Sequence, residues 1–148
     1  MSQSAAIEAA QNFLNTVWNG NPPSDAELSA ALDTLFMAYH GVQPTEVPFA
    51  DLDPPRQEWE IVNAEVAKRF PDYGFYSNCD PLEVYDPPMM LADAIDDIAD
   101  ITQDMRSTVW IGEHIGLDRA DSFYRGFYFH WGRHARELSM YLHARQFR

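Results

Sequence analysis

The sequence predicts an all-α protein: a single helical domain over residues 1–148, a bundle of about five helices with a C-terminal antiparallel helical hairpin. Three observations carry that expectation. Apolar residues recur at steps of three and four along five stretches, proline and glycine punctuate the gaps between them, and no convincing period-two run occurs.

The first helix spans about Ser4 to Asn19, where Ile7, Ala10, Leu14 and Val17 make one face and Gly20 can close the C-terminus. Ser24 and Glu27 then form an S-x-x-E capping box ahead of Leu28, Leu32, Leu35, Phe36 and Tyr39, so the second helix runs from Ser24 to about Gly41. Residues 42–55, with four prolines, read as a surface loop. Asp53 is the expected cap of a third helix, with Pro54 and Pro55 in its first turn and Trp59, Val62, Val66 and Phe70 buried; Pro71 ends it. Residues 71–88 form a long connection rich in aromatic rings, expected to pack on the core or line a cleft. A fourth helix is expected from Met89 to Ile111, with Leu91, Ile95, Ile98, Met105 and Val109 as its seam, and a fifth from Arg119 to Gln146.

Composition bounds the function. At 148 residues with 46% hydrophobic content the chain can bury a core, which argues against disorder despite a net charge of -13. That charge is uneven. Residues 1–105 hold 19 acids and three bases, whereas residues 106–148 hold seven arginines and four acids. Long-range repulsion makes nucleic acid and anionic membranes poor partners. One cysteine, Cys79, no secretory leader pattern and no long apolar run suggest a reduced, cytoplasmic protein.

On the fourth helix Asp93, Asp97, Asp100 and Asp104 follow a four, three, four spacing and share a narrow face opposite the apolar seam; the simplest expectation is a solvated acidic surface. On the fifth, His130 and His134 fall inside the stripe of Phe123, Phe127, Leu138 and Tyr141, so they point inward. Buried imidazoles need partners. Antiparallel packing about a turn near Ile115 would set Asp100 beside His130 and Asp97 beside His134, and a shift of one turn would exchange partners. Three readings compete: a structural network that fixes helix register, a divalent metal site of His130, His134, Asp97 and Asp100, and metal-free acid–base catalysis. HExxH and Glu-x-x-His pairs are absent. Trp131 reads as core, and Arg133 joins the network candidates. Gly132, Ala135 and Ser139 form a small-residue groove suited to a neighbouring helix or second subunit, while Phe129 and Met140 point outward as a possible partner surface.

The order YxxxDP over Tyr76–Pro81, then DDIADIxxD over Asp96–Asp104, then FxxHWGRHA over Phe127–Ala135 and a closing Leu142–His143, resembles an uncharacterised bacterial family of small, mainly helical proteins. The resemblance covers the last half of the chain and implies the fold and the pairing of the two motifs. It implies no reaction. The expectation from the sequence is therefore a non-catalytic cytoplasmic binding or assembly module, acting as a homodimer or with a protein partner, with a structural Asp/His network and no cofactor. The alternative is a metal-binding protein or metal-dependent hydrolase.

Overall fold

A computed structural model describes residues 4–43 and 53–148. Among them the protein is mostly helical, with six α-helices and one two-stranded sheet. Helix α1, Ala5–Trp18, starts where the Ser4 hydroxyl accepts from the Ile7 amide at 3.0 Å and buries Ala6, Ala10, Phe13 and Val17. Helix α2, Asp25–Gly41, carries both bonds of the predicted Ser24–Glu27 capping box. The two helices pack against each other, and Arg69 ties down the end of α1 by donating to the Val17 and Gly20 carbonyls at 2.7 and 3.1 Å. The predicted loop over 42–55 falls mostly outside the described residues.

Helix α3 covers Trp59–Arg69, with Glu58 rather than Asp53 at its cap position. Residues 53–58 stay non-helical because tertiary bonds hold them: the Gln57 carbonyl accepts from Gln103 at 3.2 Å, and Arg56 reaches Asp104. A residue that precedes proline also resists helical backbone, which acts on Asp53 and Pro54 alike. Val62, Val66 and Phe70 are buried as the pattern requires, whereas Trp59 is half exposed and donates to Asp96 at 2.9 Å.

Two corrections follow in the aromatic connection and the fourth helix. Strand β1, Phe75–Asn78, pairs antiparallel with strand β2, Met90–Asp93, in a register from Phe75 opposite Asp93 to Asn78 opposite Met90. The residues expected to open the fourth helix are therefore a strand, and Leu91 is exposed instead of lying in the seam. A four-residue strand is too short to show its period in sequence. Helix α4 runs from Ala94 to His114, capped by Asp93, whose carboxylate accepts from the Ile95 amide at 3.0 Å. It is the central element, packed against α1, α3 and two later helices, so its buried residues go all round it. That surrounds the acidic face as well.

The predicted fifth helix is three pieces: α5, Leu117–Gly126, a π-helical turn, Tyr128–Gly132, and α6, Arg133–Phe147. A π turn widens the helix by one residue per turn and is typical of functional positions. Here it carries His130 and Trp131. Gly132 has a definite role, because a Cβ there would collide with the Tyr128 ring, which is itself stacked on Tyr39 at 3.6 Å between centroids. Ala135 is fully buried, and the Ser139 hydroxyl bonds the Ala135 carbonyl at 2.8 Å. At Gly132 and Ala135 the small-residue groove is thus filled from within the chain, while Phe129 and Met140 do stay exposed.

Candidate metal centre

The antiparallel pass of α6 and its π turn across α4 brings two histidines onto three aspartates. His130 places Nδ1 at 2.7 Å from Asp104, and His134 places Nδ1 at 2.7 Å from Asp97. Both rings then turn Nε2 toward one carboxylate, Asp100: His134 Nε2 is 3.1 Å from Oδ2 and His130 Nε2 is 3.9 Å from Oδ1. The Asp97–His134 pair is the one the hairpin geometry suggests. His130 takes Asp104, one turn along, and keeps only a longer approach to Asp100.

Burial divides the cluster into two layers. Asp97 and Asp104 are 2% and 1% exposed, so the solvated acidic face expected for them is overturned. A helix covered on one side only would turn them outward, whereas α4 packs against α1, α3, α5 and α6. Asp100, His134 and His130 keep side-chain exposures of 19%, 21% and 34%. Carboxylates at the back are sealed, and the Nε2 and Asp100 atoms in front are open to solvent.

Each buried carboxylate has a further partner that sequence reasoning missed. Arg56 donates to Asp104 at 3.0 Å, and the Tyr76 hydroxyl, on β1, donates to Asp97. Arg56 carried a signal: it is the first basic residue in the chain, alone within a long acidic run. Tyr76 carried one in the YxxxDP element at 76–81, which named the residue without its role, since its strand is invisible in the pattern. Among the other candidates, Trp131 is fully buried and donates its indole N–H to the Tyr124 carbonyl at 2.8 Å. Arg133 lies outside the cluster, exposed and paired with Glu137 at 3.0 Å.

The electrostatics follow from these contacts. The Asp104 hydrogen bond raises the His130 pKa above its ordinary value of 6.5. Burial pushes His134 down, but Asp97 and Asp100 outweigh it and the net shift is upward. Burial raises Asp97 and Asp100 above the usual carboxylate range, against the pull of the histidines. Burial and the Asp97 bond likewise raise the Tyr76 phenol, which stays a donor. The folded cluster therefore holds more protons than the unfolded chain from the carboxylate range up through the raised imidazole pKa values. The carboxyl part of that stability is fully present only below the ordinary carboxylate value of 3.8, whereas the imidazole part is fully present at mildly acidic pH and is lost as pH climbs beyond 6.5. The expected result is that the stability advantage of the metal-free wild type over a His130→Gln, His134→Gln variant shrinks across that range, measured by urea unfolding at a series of pH values. An advantage that grows with pH would contradict the assignment.

The charges sum simply. Asp97, Asp100 and Asp104 bring three negative charges and Arg56 one positive, so the cluster calls for two more positive charges. Two protonated imidazoles supply them, and so would one divalent ion on two neutral imidazoles. One ring nitrogen of each histidine and one Asp100 oxygen all lie within 4.8 Å of one another. The approaches of 3.1 Å from His134 to Oδ2 and 3.9 Å from His130 to Oδ1 lie either side of the spacing of about 3.3 Å that a tetrahedral ion sets between ligands held at roughly 2.0–2.1 Å.

Fold and site together define a small helical bundle with a solvent-facing His, His, Asp cluster backed by buried carboxylates. No family model matches the chain, and no curated protein matches it. It is similar to the crystal structure of protein BF1032 from Bacteroides fragilis, with 16% sequence identity, a TM-score of 0.63, and coverage of 96% of this chain and 93% of that one. At that identity the likeness concerns the fold. No described helix is long and apolar enough to cross a membrane.

Proposed function

We propose that this chain binds a divalent transition-metal ion through Nε2 of His130, Nε2 of His134 and the carboxylate of Asp100, with Asp97 and Asp104 behind them. The observation that supports it is the division of each imidazole: Nδ1 is fixed by a sealed carboxylate while Nε2 faces a shared, solvent-accessible one. Metal-binding histidines characteristically donate their second N–H to a carboxylate in this way, which sets tautomer and ring orientation. Two imidazoles and one carboxylate suit zinc, iron or manganese.

Three protein ligands leave coordination positions for water or substrate, unlike the four-ligand set of a structural zinc site. An ion held this way would lower the pKa of its bound water and supply a hydroxide near neutral pH, so the reaction class proposed is metal-dependent hydrolysis or hydration. The chain's own residues orient the two imidazoles, through Asp97 and Asp104, and hold Asp97 in place through Tyr76.

Metal titration by calorimetry tests this. Zinc or manganese should bind with proton release and with affinity that rises with pH, because the ion replaces protons on the imidazoles. His130→Ala, His134→Ala and Asp100→Asn should each abolish measurable binding, and Asp97→Asn should weaken it about 10- to 100-fold. A second reading, an ion-free network that locks α6 onto α4, draws on the 3.1 Å approach of His134 to Asp100, which one proton can bridge. That reading stands and the metal centre falls if neither ion binds nor raises the melting temperature.

A further inference from the structure

The segment from the end of β1 into the start of β2 displays apolar side chains to water. Leu82, Val84 and Tyr85 are 86%, 75% and 90% exposed, and Met89 and Leu91 are 72% and 67% exposed. Single exposed apolar residues are ordinary, but five of this size within ten positions are not. The arm is also preorganised. Asp80 closes an Asx turn by accepting from the Leu82 amide at 2.9 Å, its carbonyl accepts from Glu83 at 3.1 Å, and Pro81, Pro87 and Pro88 stiffen the path. Asp86 holds a left-handed backbone at φ 50°. Such strain tends to persist where a loop must keep a shape for recognition.

Beside the arm runs an open groove of about 1440 Å³ whose opposite wall is α6. Pro81 and Glu83 line this groove, while Leu82 and Val84, which alternate with them, do not. The arm thus has an outer apolar face that the described residues leave largely uncovered. The α6 wall offers Met140, Tyr141 and Ala144 together with Arg133, Arg136 and Arg148. Among the described residues neither Arg136 nor Arg148 has a carboxylate within ion-pair distance. The arm from 79 to 91 carries Asp80, Glu83 and Asp86 and no base.

An acidic, apolar arm and a basic, apolar helix face therefore adjoin on one side of the same molecule. We propose that the occupant is a second copy of this chain, the arm of each protomer lying against α6 of the other. Two-fold symmetry makes both contacts at once, because a self-complementary patch must hold both halves of the match. The charges are complementary in sign, and the preformed arm loses little conformational freedom on docking.

Sedimentation velocity and light scattering of the full chain, from low to high micromolar concentration, should show a dimer whose dissociation constant increases with salt. Leu82→Asp with Tyr85→Asp on the arm, or Met140→Asp with Arg148→Glu on α6, should weaken it at least about tenfold. Circular dichroism spectra should match the wild type, and melting at concentrations where the wild type is monomeric should be unchanged for both, since these side chains are exposed. Mixing the two variants should restore part of the association, because a hybrid keeps one intact arm against one intact α6. A monomer at every concentration overturns the proposal, and so does a dimer indifferent to either variant. Association with some other protein by a monomeric chain would count against it equally.

Discussion

Asp104→Ala lowers the stability of the metal-free protein by about 3 kcal/mol, because removing one partner of a buried charge network leaves the others uncompensated. Asp104 is 1% exposed and serves two cations, Arg56 at 3.0 Å and His130 at 2.7 Å. Both cations keep about a third of their side-chain surface in water, which holds the loss near the lower end for buried pairs. Asp104→Asn keeps an acceptor and the packing volume, so it should lose less. Urea unfolding measures the first effect. Proton NMR of His130 supplies the second check, since its pKa should fall back toward 6.5 in either variant. A loss below about 1 kcal/mol would place Asp104 among ordinary surface pairs and remove it from the support of the site.

Trp131→Ala should cost about 3–5 kcal/mol, the range for emptying a large aromatic site in a packed core. The ring is fully buried between Tyr124 and Tyr128, at centroid distances of 4.6 and 4.9 Å, and its N–H satisfies the Tyr124 carbonyl at 2.8 Å. Truncation therefore opens a cavity and orphans an acceptor together. Against a total stability of about 5–15 kcal/mol, such a loss brings the protein to the edge of folding. Trp131→Phe should retain most of the packing, forfeit the hydrogen bond and leave metal affinity unchanged. Guanidinium unfolding midpoints distinguish the two variants, and similar midpoints for Trp131→Ala and wild type would refute the core role.

The helices were legible because burial imposes a period and caps mark ends. Ser24 with Glu27 is the clearest case, a local motif that the tertiary structure leaves intact. The inward turn of His130 and His134 was legible too, from their place in an apolar stripe. What the pattern hid depends on contacts distant in sequence. The position of Asp97 and Asp104 hinges on α4 being enclosed by α3, α5 and α6, and no wheel drawn for α4 alone contains its neighbours. The strand at Met90–Asp93 draws its hydrogen bonds from Phe75–Asn78, with Asn78 opposite Met90 at the near end of the register and Phe75 opposite Asp93 at the far end. The π turn was hidden for a different reason. Its one-residue widening changes no composition, and Gly132 hinted only that some group came close.

Tyr76 belongs to two places at once. Its ring lies against Tyr141 and helps to line the groove beside α6, and its hydroxyl holds Asp97, which in turn holds His134. One phenol thus carries mechanical news between the arm side of the molecule and the imidazole layer. Whatever draws that ring aside strips Asp97 of a donor and loosens His134, and whatever fixes His134 favours the ring's present seat. Thermodynamic reciprocity then requires each event to shift the affinity of the other by the same factor. Under the two proposals made above, association along α6 and ion capture at the histidines would be two readings of a single equilibrium, and the dimer constant measured with and without zinc tests it.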